Sequence, residues 1–247
     1  MSTADKTTRI SMWSGPRNIS TAMMRSFGNR SDCRGIDEPF YAYYLAETGL
    51  QHPMRDAVIA SQPNSWREVI SKLNGPPIPE TELLYIKHMT HHILPEIDFE
   101  NFLSHKNCFL IRDPRLVIAS YAAKWDQIST DDIGIKRQLE IFNTLQDLSD
   151  DTPIVVEAED ILKDPQRMLP ELCKLLEIPW QSQMLKWPAG RREEDGVWAE
   201  HWYASVNATT GFAPYQAKEV ELTTDQELLL AAQMPYYEEL QKHKIFA

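Results

Sequence analysis

Cysteine, glycine and basic residues are all scarce in this 247-residue chain. The three cysteines, Cys33, Cys108 and Cys173, stand far apart, are odd in number and form no CxxC pair. That disfavours both a disulfide framework and a structural zinc site. Nine glycines against sixteen prolines point to defined turns rather than flexible linkers. Lysine and arginine total 25 against 36 acidic residues, a net charge of −11, so nucleic acid and anionic membranes are poor partners. No stretch of about 18 uncharged apolar residues occurs. Met1 to Arg9 is polar and lacks the apolar segment of a secretory leader, so the expected location is the cytoplasm. Internal repeats and low-complexity tracts are also missing.

What is present is an ordinary globular composition, 43% hydrophobic and 25% charged, enough for one domain over residues 1–247 with a substantial core. Short β-prone runs alternate with helical patterns. Strands are expected at Arg9–Trp13, Cys33–Ile36, Leu83–His88, Cys108–Ile111 and Ile154–Val156. Helices are expected at about Asn18–Asn29, Arg115–Trp125, Asp131–Leu148 and Pro165–Leu176. Asp113-Pro114 and Asp164-Pro165 each place a capping aspartate before a proline at the first helical position. This alternation predicts an α/β fold with a mostly parallel central sheet flanked by helices. Ligands of such sheets bind at the carboxyl ends of the strands.

Two of those ends carry anion-binding chemistry. After the first strand comes Ser14-Gly15-Pro16-Arg17-Asn18-Ile19-Ser20-Thr21. A turn onto a helix N-terminus presents free N–H groups and the positive end of the helix dipole, and Arg17 adds a fork of donors. The lysine after a second glycine that defines a magnesium-nucleotide loop is missing. After the fourth strand comes Arg112-Asp113-Pro114, with Ser120 roughly 9 Å up the following helix, within reach of a shared phosphate.

Taken in order, these stretches resemble the sulfotransferases that use 3′-phosphoadenosine 5′-phosphosulfate (PAPS). Pro16 to Thr21 looks like that family's 5′-phosphosulfate loop. Arg112 and Ser120 resemble its 3′-phosphate-binding pair. Ile154-Val155-Val156-Glu157-Ala158-Glu159-Asp160-Ile161-Leu162-Lys163-Asp164-Pro165 is similar to its strand followed by Glu-Asp-Leu and Asp-Pro. The resemblance runs from about residue 9 to 178, with a weaker echo to about 215. It implies a P-loop-type fold, PAPS as donor, adenosine 3′,5′-bisphosphate (PAP) as product, a small-molecule acceptor and no metal. The chain departs from the family in having Ile19 where glycine is usual, with Gly15 instead preceding the arginine. It also lacks the C-terminal arginine-lysine-glycine loop of the cytosolic enzymes. Trp202, Tyr203, Ala204, Thr209, Thr210, Gly211 and Phe212 occupy that region and are candidates to close over the nucleotide.

Sulfuryl transfer needs a base for the acceptor's proton. Glu38, in Asp37-Glu38-Pro39-Phe40, resembles the glutamate of the carbohydrate and tyrosine branches of the family. His88 is the second candidate, and Lys87 and Arg17 are expected to stabilise charge on the bridging oxygen. His88, His91 and His92 lack a carboxylate or cysteine complement for a metal. The aromatic residues Phe40, Tyr41, Tyr43, Tyr44, Trp66, Trp198 and Trp202 read mainly as core, and Arg191 to Asp195 reads as a solvated loop. The rival readings are a P-loop small-molecule kinase and a non-catalytic PAP- or PAPS-binding module.

Overall fold

The computed structural model describes residues 7–123, 128–217 and 219–246. Five strands, β1 (Thr8–Ser14), β2 (Cys33–Asp37), β3 (Leu83–Met89), β4 (Lys106–Ile111) and β5 (Ile154–Glu157), form one sheet in the order β2-β3-β1-β4-β5. Every pairing is parallel. The helices, in chain order, are α1 (Ser20–Gly28), α2 (Tyr41–Thr48), α3 (Arg55–Ser61), α4 (Trp66–Leu73), α5 (Pro114–Ala122), α6 (Thr130–Ile133), α7 (Ile135–Leu148), α8 (Ala158–Lys163), α9 (Pro165–Leu175), α10 (Ala199–Trp202), α11 (Ala204–Asn207) and α12 (Thr224–Gln241). The five expected strands and the expected sheet type are all there. The expected helix over 131–148 is two helices, because Gly134 takes a left-handed φ of 74°. Of the helix expected over 115–125, Lys124 and Trp125 lie outside the described residues.

The period-2 geometry of strands sorts residues onto two faces. Ile10, Met12, Tyr85, Cys108, Leu110 and Val156 pack with Met23, Met24 and Phe27 of α1 and with Leu169 and Leu172 of α9. Trp13, Leu84, Ile86, Phe109, Ile111 and Val155 pack with Ile141 and Phe142 of α7 and with Leu230, Tyr237 and Leu240 of α12. Both sets are almost fully buried. Truncating one large member, such as Phe109→Ala, costs about 3–5 kcal/mol.

Both proline-led helices start as the sequence predicts. Asp113 accepts from the Arg115 amide at 2.8 Å and Asp164 from the Arg167 amide at 3.2 Å, each with proline in the first turn. At the carboxyl ends of β1 and β4, the buried Gln138 of α7 donates to the carbonyls of Trp13 and Leu110 at 2.9 and 3.0 Å. Asn18 donates to the same Leu110 carbonyl at 2.9 Å. These bonds fix the turn that enters α1.

Candidate functional site

A cavity of about 470 Å³ opens at the carboxyl ends of the strands, lined by the β1–α1 turn, the ends of β3 and β4, and the segment around α10 and α11. Arg17, in the first of these, has a left-handed φ of 56°. A non-glycine residue held there is strained and persists when its surroundings fix it. Its guanidinium Nε donates to Ser120 Oγ at 2.9 Å, and Arg112 Nη1 donates to its carbonyl. The helix that follows carries no side-chain cap among the described residues, so its first N–H groups are free for a ligand. Neither arginine has a carboxylate hydrogen-bonded to it among the described residues. Burial, and then the charge of Arg17, pull Arg112 below its ordinary pKa against the smaller opposing charge of Asp113.

The same cavity holds a buried ionic cluster. Lys87 is fully buried. Its ammonium donates to Asp37 Oδ1 at 2.9 Å, to Glu38 Oε1 at 2.7 Å and to the Tyr203 hydroxyl. Tyr203 in turn donates to Asp37 Oδ2 at 2.7 Å, and Trp198 Nε1 lies 3.3 Å from the tyrosine oxygen. Burial alone would lower the Lys87 pKa, but the two carboxylates reverse this and hold it well above 10.5. One cation serves two carboxylates, so burial and the Asp37 charge raise Glu38 above the ordinary 4.5 against the pull of Lys87. Glu38 also has a left-handed φ, 41°, which turns its side chain off the end of β2 into the cavity wall.

Most of the predicted site residues converge on this cavity. Pro16, Arg17, Asn18, Ile19, Ser20, Thr21, Glu38, Lys87, Arg112, Ser120, Thr209 and Gly211 all line it. Three do not. His88 sits on the opposite sheet face from Lys87, because neighbours on a strand alternate. It stacks on Trp13 at 4.1 Å and lies 3.3 Å from Ser11 Oγ. Gly15 serves packing instead, since a Cβ there would meet the Ile133 carbonyl at 2.9 Å. Thr210 lines a separate groove with Asn29 and Pro165. Lys87 reaches the cavity, but the three N–H groups of an ammonium are all engaged, so none is left for a sulfuryl oxygen.

The loop expected to be solvated, Arg191 to Asp195, instead ends in a buried ion pair. Asp195 receives Arg25 at 2.7 Å and the Arg192 amide at 2.9 Å. This holds down the segment that carries Trp198 and Tyr203. Sequence reasoning gave Tyr203 a nucleotide contact and missed its link to Lys87, for which no local motif exists. It also set His91 and His92 aside, and both line the cavity. Among the described residues no cluster of three or more metal-ligating side chains occurs.

A parallel α/β sheet with an anion-receptive turn at the end of β1 defines a phosphate- or sulfate-handling class of protein. The chain belongs to the sulfotransferase family, whose domain model matches residues 8–244. Two Arabidopsis thaliana proteins, branched-chain-amino-acid aminotransferase-like proteins 1 and 2, are 34% and 32% identical over 237 and 234 residues, in each case 95% of this chain. The chain covers 42% and 41% of them, about two fifths of the length of these curated relatives. Among solved structures, the sulfotransferase domain of the curacin biosynthetic pathway superposes with a TM-score of 0.52 at 15% identity, covering 94% of this chain and 99% of that one. A sulfotransferase from Alicyclobacillus acidocaldarius gives 0.52 at 9% identity, with 98% of each chain covered. At these identities the structures share the fold.

Proposed function

We propose that this chain transfers a sulfuryl group from PAPS to a hydroxyl or amine of a small acceptor without net negative charge. The observation that carries the reading is the convergence of Arg17, Arg112 and Ser120 on the cavity that also holds Glu38. Two guanidinium groups with no carboxylate hydrogen-bonded to them among the described residues, together with the N-terminus of α1, suit a bisphosphorylated nucleotide. Family membership supports sulfuryl transfer as the chemistry.

In this reading the acceptor oxygen or nitrogen attacks sulfur as the bond to the bridging oxygen breaks. The electron pair leaves on the 5′-phosphate of PAP, where Arg17 and the α1 amides offset the charge. Glu38 takes the acceptor's proton. Lys87 positions Glu38 and Asp37 and makes no contact with the donor. The acceptor class follows from the remaining wall, which carries Tyr41, His52, His91, His92, Trp198 and Trp202. Burial holds all three histidines below the ordinary imidazole pKa, so no free cation is there to receive an anionic acceptor. Amino transfer, suggested by the names of the plant relatives, lacks support in the cavity. Lys87 is the one lysine in its wall among the described residues, and its N–H groups are engaged.

Calorimetric titration with PAPS, PAP and ATP with magnesium, followed by an acceptor panel of alcohols, phenols, amines and carboxylates, tests the proposal. Tight PAP binding with sulfuryl transfer to neutral acceptors is expected. A preference for ATP with magnesium points to a kinase, and PAP binding without transfer to any acceptor or to water points to a binding module. Either result overturns the reading.

A further inference from the structure

Glu38 can act as a base again only after it has given up the proton it takes. Once Glu38 is neutral, Lys87 has lost half of its counter-charge, and the proton must depart before the next turnover. Oε1 of Glu38 is held by Lys87 at 2.7 Å. The other oxygen, Oε2, faces Nδ1 of His92 at 3.7 Å. That nitrogen is buried and has no hydrogen-bond partner among the described residues. Leaving a buried polar atom unpaired is unfavourable, so such atoms mark places where something else uses them. A separation of 3.7 Å is too long for a resting hydrogen bond. It suits two facing acceptors, and a proton placed between them converts the gap into a contact.

The ring is held in place for this. His92 stacks on Tyr41 at 4.3 Å between centroids with 7° between planes, and His91 packs edge-on at 4.3 Å. The titratable groups around it are Glu38, Lys87, His52, His88, His91 and the Tyr41 and Tyr44 hydroxyls. Burial first, then the neighbouring histidines, holds His92 well below 6.5. It therefore rests neutral, with a lone pair available, and releases a proton readily.

Resting on the sulfotransferase reading, we infer that His92 is a positioning residue that takes from Glu38 the proton abstracted from the acceptor and passes it to water in the cavity. The sequence balances. Acceptor O–H and PAPS give the sulfated acceptor and PAP. The proton moves from acceptor oxygen to Glu38 Oε2, then to His92 Nδ1, and the imidazolium returns one proton to solvent. Glu38 is left ionised against Lys87, as it began.

Three variants test this. His92→Phe keeps an aromatic ring to stack on Tyr41, His92→Gln keeps a polar group, and His92→Ala leaves space. All three are expected to bind PAP within about twofold of the wild type. Turnover should fall about 100-fold in the first two, the range for one lost proton-transfer group. Added imidazole should restore part of the His92→Ala rate in proportion to its free base, an effect a stacking role would not produce. His92→Phe at the wild-type rate, or a slow His92→Ala that imidazole leaves unchanged with PAP binding intact, overturns the relay. A fast Glu38→Gln beside a dead His92→Gln reverses the order of the two residues and also overturns it. Failure of the underlying reading looks different: the wild-type chain itself then releases no sulfuryl group from PAPS to any acceptor or to water.

Discussion

Arg17 and Arg112 follow the neighbouring strands β1 and β4, Ser120 lies in α5, and neither guanidinium has a carboxylate hydrogen-bonded to it among the described residues. Asp37, Glu38, Lys87 and Tyr203 come from three segments up to 166 residues apart and pair with one another, one ammonium shared by two carboxylates, largely buried at the cavity wall. In the proposed reading the first group is the one that meets the nucleotide's phosphates. The second is complete within the chain and has one oxygen, Glu38 Oε2, left over. In the proposed reading, nucleotide binding draws on the first group, while folding stability and proton transfer draw on the second. Substitutions should separate along that line.

The largest effect is expected at Lys87. Lys87→Met leaves Asp37 and Glu38 buried without their shared cation, and breaking such a cluster from one side costs about 3–5 kcal/mol. Denaturant unfolding should show that loss, together with loss of turnover. The pH dependence has a definite sign. Because the folded-state pKa of Lys87 lies above 10.5, its contribution is fully present below that pH and disappears as pH climbs through the folded value. Alkaline destabilisation should therefore be shallower in Lys87→Met than in the wild type. A variant as stable as the parent at neutral pH would show that the cluster contributes nothing to folding.

Glu38→Gln comes next. Its turnover should drop by about 10²–10⁴, while PAPS titrates as in the wild type. The wild-type rate should rise with pH through an inflection above 4.5, because the base works ionised and burial raises its pKa. That acid limb should vanish in the variant. Weakened PAPS binding in Glu38→Gln would mean that the two groups are not independent.

The same division explains what the sequence disclosed. The turns proposed to hold the phosphates are local: Pro16 to Thr21 and Arg112 to Ser120 each belong to one strand–helix unit, so order and spacing expose them. The sheet was equally legible, since its strands are short apolar runs between helical patterns. The second group depends on tertiary closure. Tyr203 meets Lys87 in a segment that is also held by the Arg25–Asp195 pair, 170 residues apart, and no periodicity encodes that. Strand alternation, however, is readable. Leu83, Tyr85 and Lys87 share one parity and Leu84, Ile86 and His88 the other, which was enough to separate Lys87 from His88 in advance. The capping box Thr223 to Gln226 that opens α12 was also readable, but Pro235 inside the helix obscures the pattern that follows.

On the first group the expected effects are smaller and fall on affinity alone. Arg112→Ala removes one of the two cations proposed to face the nucleotide and should weaken PAP binding at least tenfold by calorimetry, with an unchanged unfolding midpoint. Unaltered affinity would place the nucleotide elsewhere and dissolve the contrast.

Ser120→Ala should be milder still. Ser120 Oγ accepts from Arg17 Nε at 2.9 Å, so its first effect is to hold the guanidinium in a chosen orientation against the strained backbone of Arg17. Losing one such bond on a half-buried side chain is worth about 1 kcal/mol, or roughly fivefold in the dissociation constant for PAP. A loss of tenfold or more would mean that the hydroxyl also donates to a phosphate oxygen directly. Titrating the des-3′-phospho analogue would then decide which phosphate it serves: a serine that only orients Arg17 should penalise both nucleotides equally, whereas one that grips the 3′-phosphate should penalise PAP alone.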